Sequence, residues 1–156
     1  MSIQRSQQRI DQTGEVFTPA PLVSEMLDTL HKEVFTDPSK TFLDPAAGDG
    51  NFLVQVLERK IANGISPLKA LSTIYGVELM EDNVQECKRR LKEITLSSTP
   101  KNLKSNPKIL KAIDKVLNHN IVREDSLKFN YEAWQPLLDQ GKHLGGTSAN
   151  ASKVEE

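Results

Sequence analysis

The chain has one cysteine, Cys87, in 156 residues. A single thiol cannot close an internal disulfide, so no disulfide framework organises this fold, and a reducing compartment such as the cytoplasm suits it. No apolar run approaches the ~20 residues a membrane helix needs. The first nine residues lack an apolar stretch, so no secretory signal is expected. His31, His119 and His143 share no metal-ligand spacing with one another or with Cys87, so no metal site is expected. Aromatics are only 5% of the chain, and net charge is −1. Neither an aromatic stacking surface nor a strongly charged protein follows from that balance. There is no internal repeat, no Gly-Lys-Ser/Thr phosphate loop, and no G-x-G-x-x-G, because position 53 is Leu.

What is present is a chain of one-domain length with a 37% apolar content, enough for a real core. The most informative stretch is 41–53, Thr-Phe-Leu-Asp-Pro-Ala-Ala-Gly-Asp-Gly-Asn-Phe-Leu. It reads as a buried strand, a tight glycine turn and a helix beginning near Asn51. Gly48 and Gly50 can take positive φ and carry no Cβ to block a ligand. The helix start aims free N–H groups and the positive end of its dipole back over the turn. On local grounds alone this is a βα turn compatible with several ligands.

The element Asp44-Pro45-Ala46-Ala47-Gly48-Asp49-Gly50 resembles the cofactor motif of S-adenosylmethionine-dependent methyltransferases. Its Asp-Pro-x-x-Gly-x-Gly form is most similar to DNA adenine-N6 methyltransferases of restriction–modification and phage systems. Other stretches agree in order. Upstream, Phe17-Thr18-Pro19 precedes an apolar pattern at Leu22, Val23, Met26, Leu27 and Leu30. In the family such an element closes over the methionine part of the cofactor, although Thr18 also suits a helix cap. Downstream, the apolar β-rich run 72–79 ends in Glu78 and Leu79. A carboxylate there accepts bonds from both ribose hydroxyls; the alternative is a solvated cap of the next helix. Further on, Ile121 and Val122 form a short strand, followed by Asp125, Ser126 and Leu127. By resemblance Asp125 bonds the adenine amine, with an apolar neighbour against the ring. The expected cofactor-binding set is therefore Phe17, Thr18, Pro19, Asp44, Pro45, Ala46, Gly48, Asp49, Gly50, Asn51, Phe52, Glu78, Leu79, Asp125, Ser126 and Leu127. The resemblance covers about residues 12–135.

The family's catalytic element, Asn/Asp-Pro-Pro-Tyr/Phe, is not in this sequence. The only Asn-Pro is Asn106-Pro107, followed by Lys108. No catalytic residue is therefore assigned. The expected fold is α/β, an incomplete Rossmann-like class I methyltransferase fold with about three parallel strands flanked by helices. Its parts are a polar arm or first helical turn at 1–12, a cofactor-binding domain at 13–140 and a disordered tail at 141–156. Expected helices are 19–34, 51–63, 66–71, 81–95, 107–117 and 130–139. Expected strands are 41–45, 73–78 and 119–123.

A three-strand sheet leaves its first strand as an open edge. That implies self-association, a partner chain or an added strand from the tail. Charge is also uneven. Residues 86–123 carry ten basic side chains against three acids, which leaves the rest of the chain at −8. The basic region 88–115 could meet DNA phosphates or could be a solvated face of two helices. Two functional readings stay open. One is a methyltransferase fragment or split subunit, inactive alone. The other is a non-catalytic regulatory or anti-restriction relative. A methyltransferase for small molecules or proteins fits the motifs less well.

Overall fold

The computed structural model describes residues 6–13, 15 and 17–137. The chain is α/β, with a parallel sheet of three strands flanked by helices, a partial Rossmann-like arrangement. After α1 (Gln7–Thr13), α2 (Ala20–Asp28) and α3 (Glu33–Thr36) come β1 (Phe42–Asp44), α4 (Asn51–Ala62) and α5 (Pro67–Ser72). They are followed by β2 (Ile74–Glu78), α6 (Glu81–Ser98), α7 (Pro107–Asn120) and β3 (Ile121–Arg123). The strand order is β1-β2-β3, so β2 is central and β1 lies at an edge. Phe42 is opposite Ile74, and Gly76 is opposite Ile121.

β2 is buried from Ile74 to Val77, as expected of a middle strand covered on both faces. Its Gly76 is required by space. A Cβ there would lie 2.8 Å from Leu53 Cδ1 and 3.0 Å from Ala47 Cβ, so the missing side chain lets α4 lie close against the sheet. The core joins Leu53, Val56 and Leu57 of α4 to Leu71, Ile74, Leu91, Ile113 and Val116. Each such side chain contributes roughly 1.5–3 kcal/mol by leaving water.

Several boundaries differ from those read in the sequence. The helix expected at 19–34 is two helices. Thr29 folds back on Met26, donating both its N–H (3.2 Å) and its hydroxyl (2.6 Å) to the Met26 carbonyl, which closes α2. Of the apolar pattern there, only Val23 and Leu27 are buried; Leu22, Met26 and Leu30 are exposed. The helices expected at 81–95 and 107–117 each run three residues further, to Ser98 and Asn120. Of the helix expected at 130–139, residues 130–137 hold a single 3₁₀ turn, Tyr131–Ala133, and 138–139 lie outside the described residues. Pro136 disfavours helical backbone at the residue before it. Trp134 is held by its own contacts: its indole N–H donates to the His119 carbonyl at 2.9 Å, and its ring meets Tyr75 and Phe129 edge-on. Of residues 1–12, where a polar arm or first helical turn is expected, 1–5 lie outside the described residues and 7–12 belong to α1. The tail expected at 141–156 lies outside the described residues, among which no helix is long and apolar enough to cross a membrane.

Candidate cofactor pocket

The pocket forms at the C-terminal ends of β1 and β2, where a parallel sheet with helical crossovers leaves a crevice. After Asp44 the chain turns back on itself. The Asp44 Oδ1 accepts from the Ala46 N–H at 3.0 Å, and the Ala47 N–H donates to the Val77 carbonyl at 2.9 Å. Gly48 and Gly50 take φ of 56° and 97°, values in the left-handed region that favours glycine. Both are also held by neighbours. A Cβ on Gly48 would stand 3.0 Å from Phe17 Cε1, and one on Gly50 would stand 2.9 Å from Cys87 Sγ. Phe17 therefore lies directly on the turn, and α6 lies directly beneath it.

α4 opens at Gly50 without a side-chain cap. Its first N–H groups are thus available to a ligand's acceptor, at the positive end of the helix dipole. The crevice measures about 260 Å³, at the small end for a nucleotide-sized ligand. Of the sequence-expected residues it brings together Phe17, Thr18, Ala46, Gly48, Asp49, Asn51, Phe52, Glu78 and Leu79. Pro19, Asp44, Pro45 and Gly50 shape its walls without lining it. Asp125, Ser126 and Leu127 do not line it either. Asp125 accepts from the Leu127 N–H at 3.0 Å in a local turn, and Leu127 is 94% exposed.

Glu15, Ala47 and Met80 line the pocket but were not singled out from the sequence. Glu15 is placed by distant partners: Arg9 Nε donates to it at 2.6 Å, and the buried Asn83 amide donates to its other oxygen. Arg9 also binds Asp82 at 2.5 Å, joining α1 to the start of α6. Nothing in the local sequence around Glu15 signals these contacts.

Besides Glu15, three carboxylates lie in this region. Glu78 Oε1 accepts from the Met80 N–H at 3.1 Å, which braces the turn into α6. Burial pushes the Asp44 carboxyl above its usual range; the bond from Ala46 works against that, and the neighbouring Glu78 charge adds to it. Asp49 is fully buried, and neither of its carboxylate oxygens has a hydrogen-bond partner. Its nearest cation is Arg90, with Nη1 3.4 Å from Oδ1. No group of His, Cys, Asp and Glu suited to a metal ion occurs among the described residues.

The basic region is less free than its charge count implied. Arg89 pairs with Glu86 and Glu93, Lys92 with Asp114, and Arg90 with Asp49. Lys101, Lys108, Lys111 and Lys115 are exposed and Lys104 is half-buried.

A strand, a glycine turn and a helix N-terminus around a crevice at the carboxyl edge of a parallel sheet define a partial Rossmann-like α/β fold. A family model described as N-6 DNA Methylase matches residues 3–103, and the chain belongs to that family. The chain is also similar to the Type II methyltransferase M.VspI of Vibrio sp. (strain 343), with 32% identity over 81 residues. That match covers 52% of this chain, which spans 17% of the relative's length. No solved structure matches it.

Proposed function

We propose that this chain holds S-adenosylmethionine as the cofactor-binding part of an adenine-N6 DNA methyltransferase. The observation that carries the reading is the Asp44-Pro45-Ala46-Ala47-Gly48-Asp49-Gly50 turn, folded into a crevice whose walls are Phe17, Phe52 and Glu78. These residues fit the group. Uncapped N–H groups at α4 suit the amino-acid carboxylate, the Glu78 carboxylate suits the ribose hydroxyls, and the two Phe rings give apolar wall. Asp125, at the end of β3, would reach the adenine amine, with Ser126 and Leu127 beside it. When bound, the cofactor supplies an electrophilic methyl group. The residues of this chain orient it and shield it from water.

Methyl transfer to adenine would need groups that these 156 residues do not carry, since no Asn/Asp-Pro-Pro-Tyr/Phe occurs in them. The open side of β1, where Leu43 is 43% exposed, is where we would place a further strand from a partner chain or a second copy. DNA contact would fall to Lys101, Lys104, Lys108, Lys111 and Lys115, which form no ion pair among the described residues. A cytoplasmic setting is consistent with the single buried thiol.

The test is calorimetric titration with S-adenosylmethionine and its demethylated product, together with a tritiated-methyl assay on unmethylated DNA. Binding without transfer is the expected result. Absence of binding at millimolar ligand overturns the proposal. Methyl transfer by this chain alone overturns the part that assigns catalysis to other groups.

A further inference from the structure

Arg90 was counted in the sequence as part of a basic surface. The structure gives it another position. Its side chain is only 19% exposed. One nitrogen, Nη1, donates to the Asp49 carbonyl and to Asn51 Oδ1, each at 2.9 Å, and lies 3.4 Å from the Asp49 carboxylate. All three acceptors belong to the glycine turn or the first residue of α4. Asn51 completes a chain of contacts. With its oxygen occupied by Arg90, its amide nitrogen must point the other way, and it donates to the Thr18 carbonyl at 2.9 Å. A guanidinium on α6 thus sets the orientation of an amide on α4. That amide in turn holds the 17–19 segment against the turn, where the Phe17 ring closes over Gly48.

We propose that Arg90 is a positioning residue for the pocket, fixing the glycine turn and, through Asn51, the 17–19 segment that forms its outer wall. This rests on the cofactor reading above and deepens it by naming the group that pre-forms the site. The unsatisfied Asp49 carboxylate supports it. A fully buried anion without hydrogen bonds costs free energy unless a cation accompanies it. Arg90 is the cation within reach, so it is bound to this place by charge as well as by its hydrogen bonds. Lysine would substitute only in part, because its ammonium can donate to the same acceptors but sits on a flexible stem and not on a rigid, pre-organised guanidinium. Affinity should follow, since a wall already in place spares the ligand the cost of ordering it.

The test avoids leaving Asp49 as a lone buried charge. The double variant Asp49→Asn with Arg90→Gln removes both charges, and Asn51→Asp keeps an acceptor for Arg90 while removing the donor to Thr18. Hydrogen–deuterium exchange is measured on the ligand-free proteins, with the Val77 amide as control. In both variants the Val23 amide, which donates to the Pro19 carbonyl at 3.0 Å, should exchange about tenfold faster, with Val77 unchanged. S-adenosylmethionine should bind roughly tenfold more weakly by calorimetry, and Arg90→Lys should recover part of both losses. Unchanged exchange at Val23 in a folded variant overturns the proposal. So does equal loss of protection at Val77, which would mark a merely structural role. Failure of the wild-type protein to bind S-adenosylmethionine would instead overturn the cofactor reading, and the exchange result would still decide the role of Arg90.

Discussion

Each end of the sheet buries one charged side chain, and the two are treated differently. At the amino end Lys60 is fully buried, and its ammonium donates to the Lys40 carbonyl at 2.6 Å and to Thr73 Oγ1 at 2.8 Å. At the carboxyl end Asp49 is equally buried, and its carboxylate oxygens accept no hydrogen bond. The amino end is closed by satisfied groups at the far end of α4 from the proposed pocket. The carboxyl end keeps a buried carboxylate without hydrogen bonds, two positive-φ glycines and an uncapped helix start. Departures from the rules that stabilise a fold gather where a ligand would be held.

Four measurements bear on that contrast. The largest expected effect is at Arg90. Arg90→Ala leaves the Asp49 charge alone in the interior, and chemical denaturation should show a loss of about 3–5 kcal/mol. A loss under 1 kcal/mol would mean that Asp49 is not the burden described. Next is Gly50→Ala. The new methyl meets Cys87 Sγ at 2.9 Å with φ at 97°, so a loss on the order of 3 kcal/mol is expected. Gly64 has a similar φ of 92° but nothing near its would-be Cβ, and Gly64→Ala should cost only about 1 kcal/mol. Similar losses at both sites would remove packing as the distinguishing cause.

The third concerns pH. Burial first, and the Lys69 charge second, lower the Lys60 pKa from 10.5 to about 8. Between these values the unfolded chain holds a proton that the folded one has released. Stability contributed by this group therefore rises with pH across that window, by about 2–3 kcal/mol at most. Denaturation midpoints at pH 7.5 and 10 should show the gain, and Lys60→Met should abolish it; an unchanged slope in the variant would assign the effect elsewhere. The smallest effect is the stability of Lys60→Met itself at pH 7. Two hydrogen bonds are lost but a buried charge goes with them, so a net loss of about 1 kcal/mol is expected.

The parts legible in the sequence were those encoded locally. The run Thr41-Phe42-Leu43 before Asp44-Pro45 marks β1, and Gly48-Asp49-Gly50 marks the turn, because strand propensity and positive φ are properties of neighbouring residues. Pro107 gives the start of α7 for the same reason: it occupies the first turn, with the Asn106 side chain accepting from the Lys108 N–H. What sequence could not show depends on distance. Arg90 looks like any surface arginine until Asn51, 39 positions away, is brought beside it. Glu15 acquires its place from Asn83, 68 positions on. Trp134 gave a false helix because its contacts with Tyr75 and His119, invisible locally, outweigh the propensity of its neighbours.

Cys87 adds something to the chain that concerns measurement. Its thiol is buried, and burial pushes its pKa up to about 12, so at neutral pH it is both hidden and almost wholly protonated. A thiol reagent can reach it only when α6 lifts from the glycine turn. As the single cysteine in the sequence, it is a built-in clock on that contact. The rate at which Cys87 becomes labelled reads how often the pocket's floor opens, with no engineered probe, and a ligand that steadies the turn should slow it.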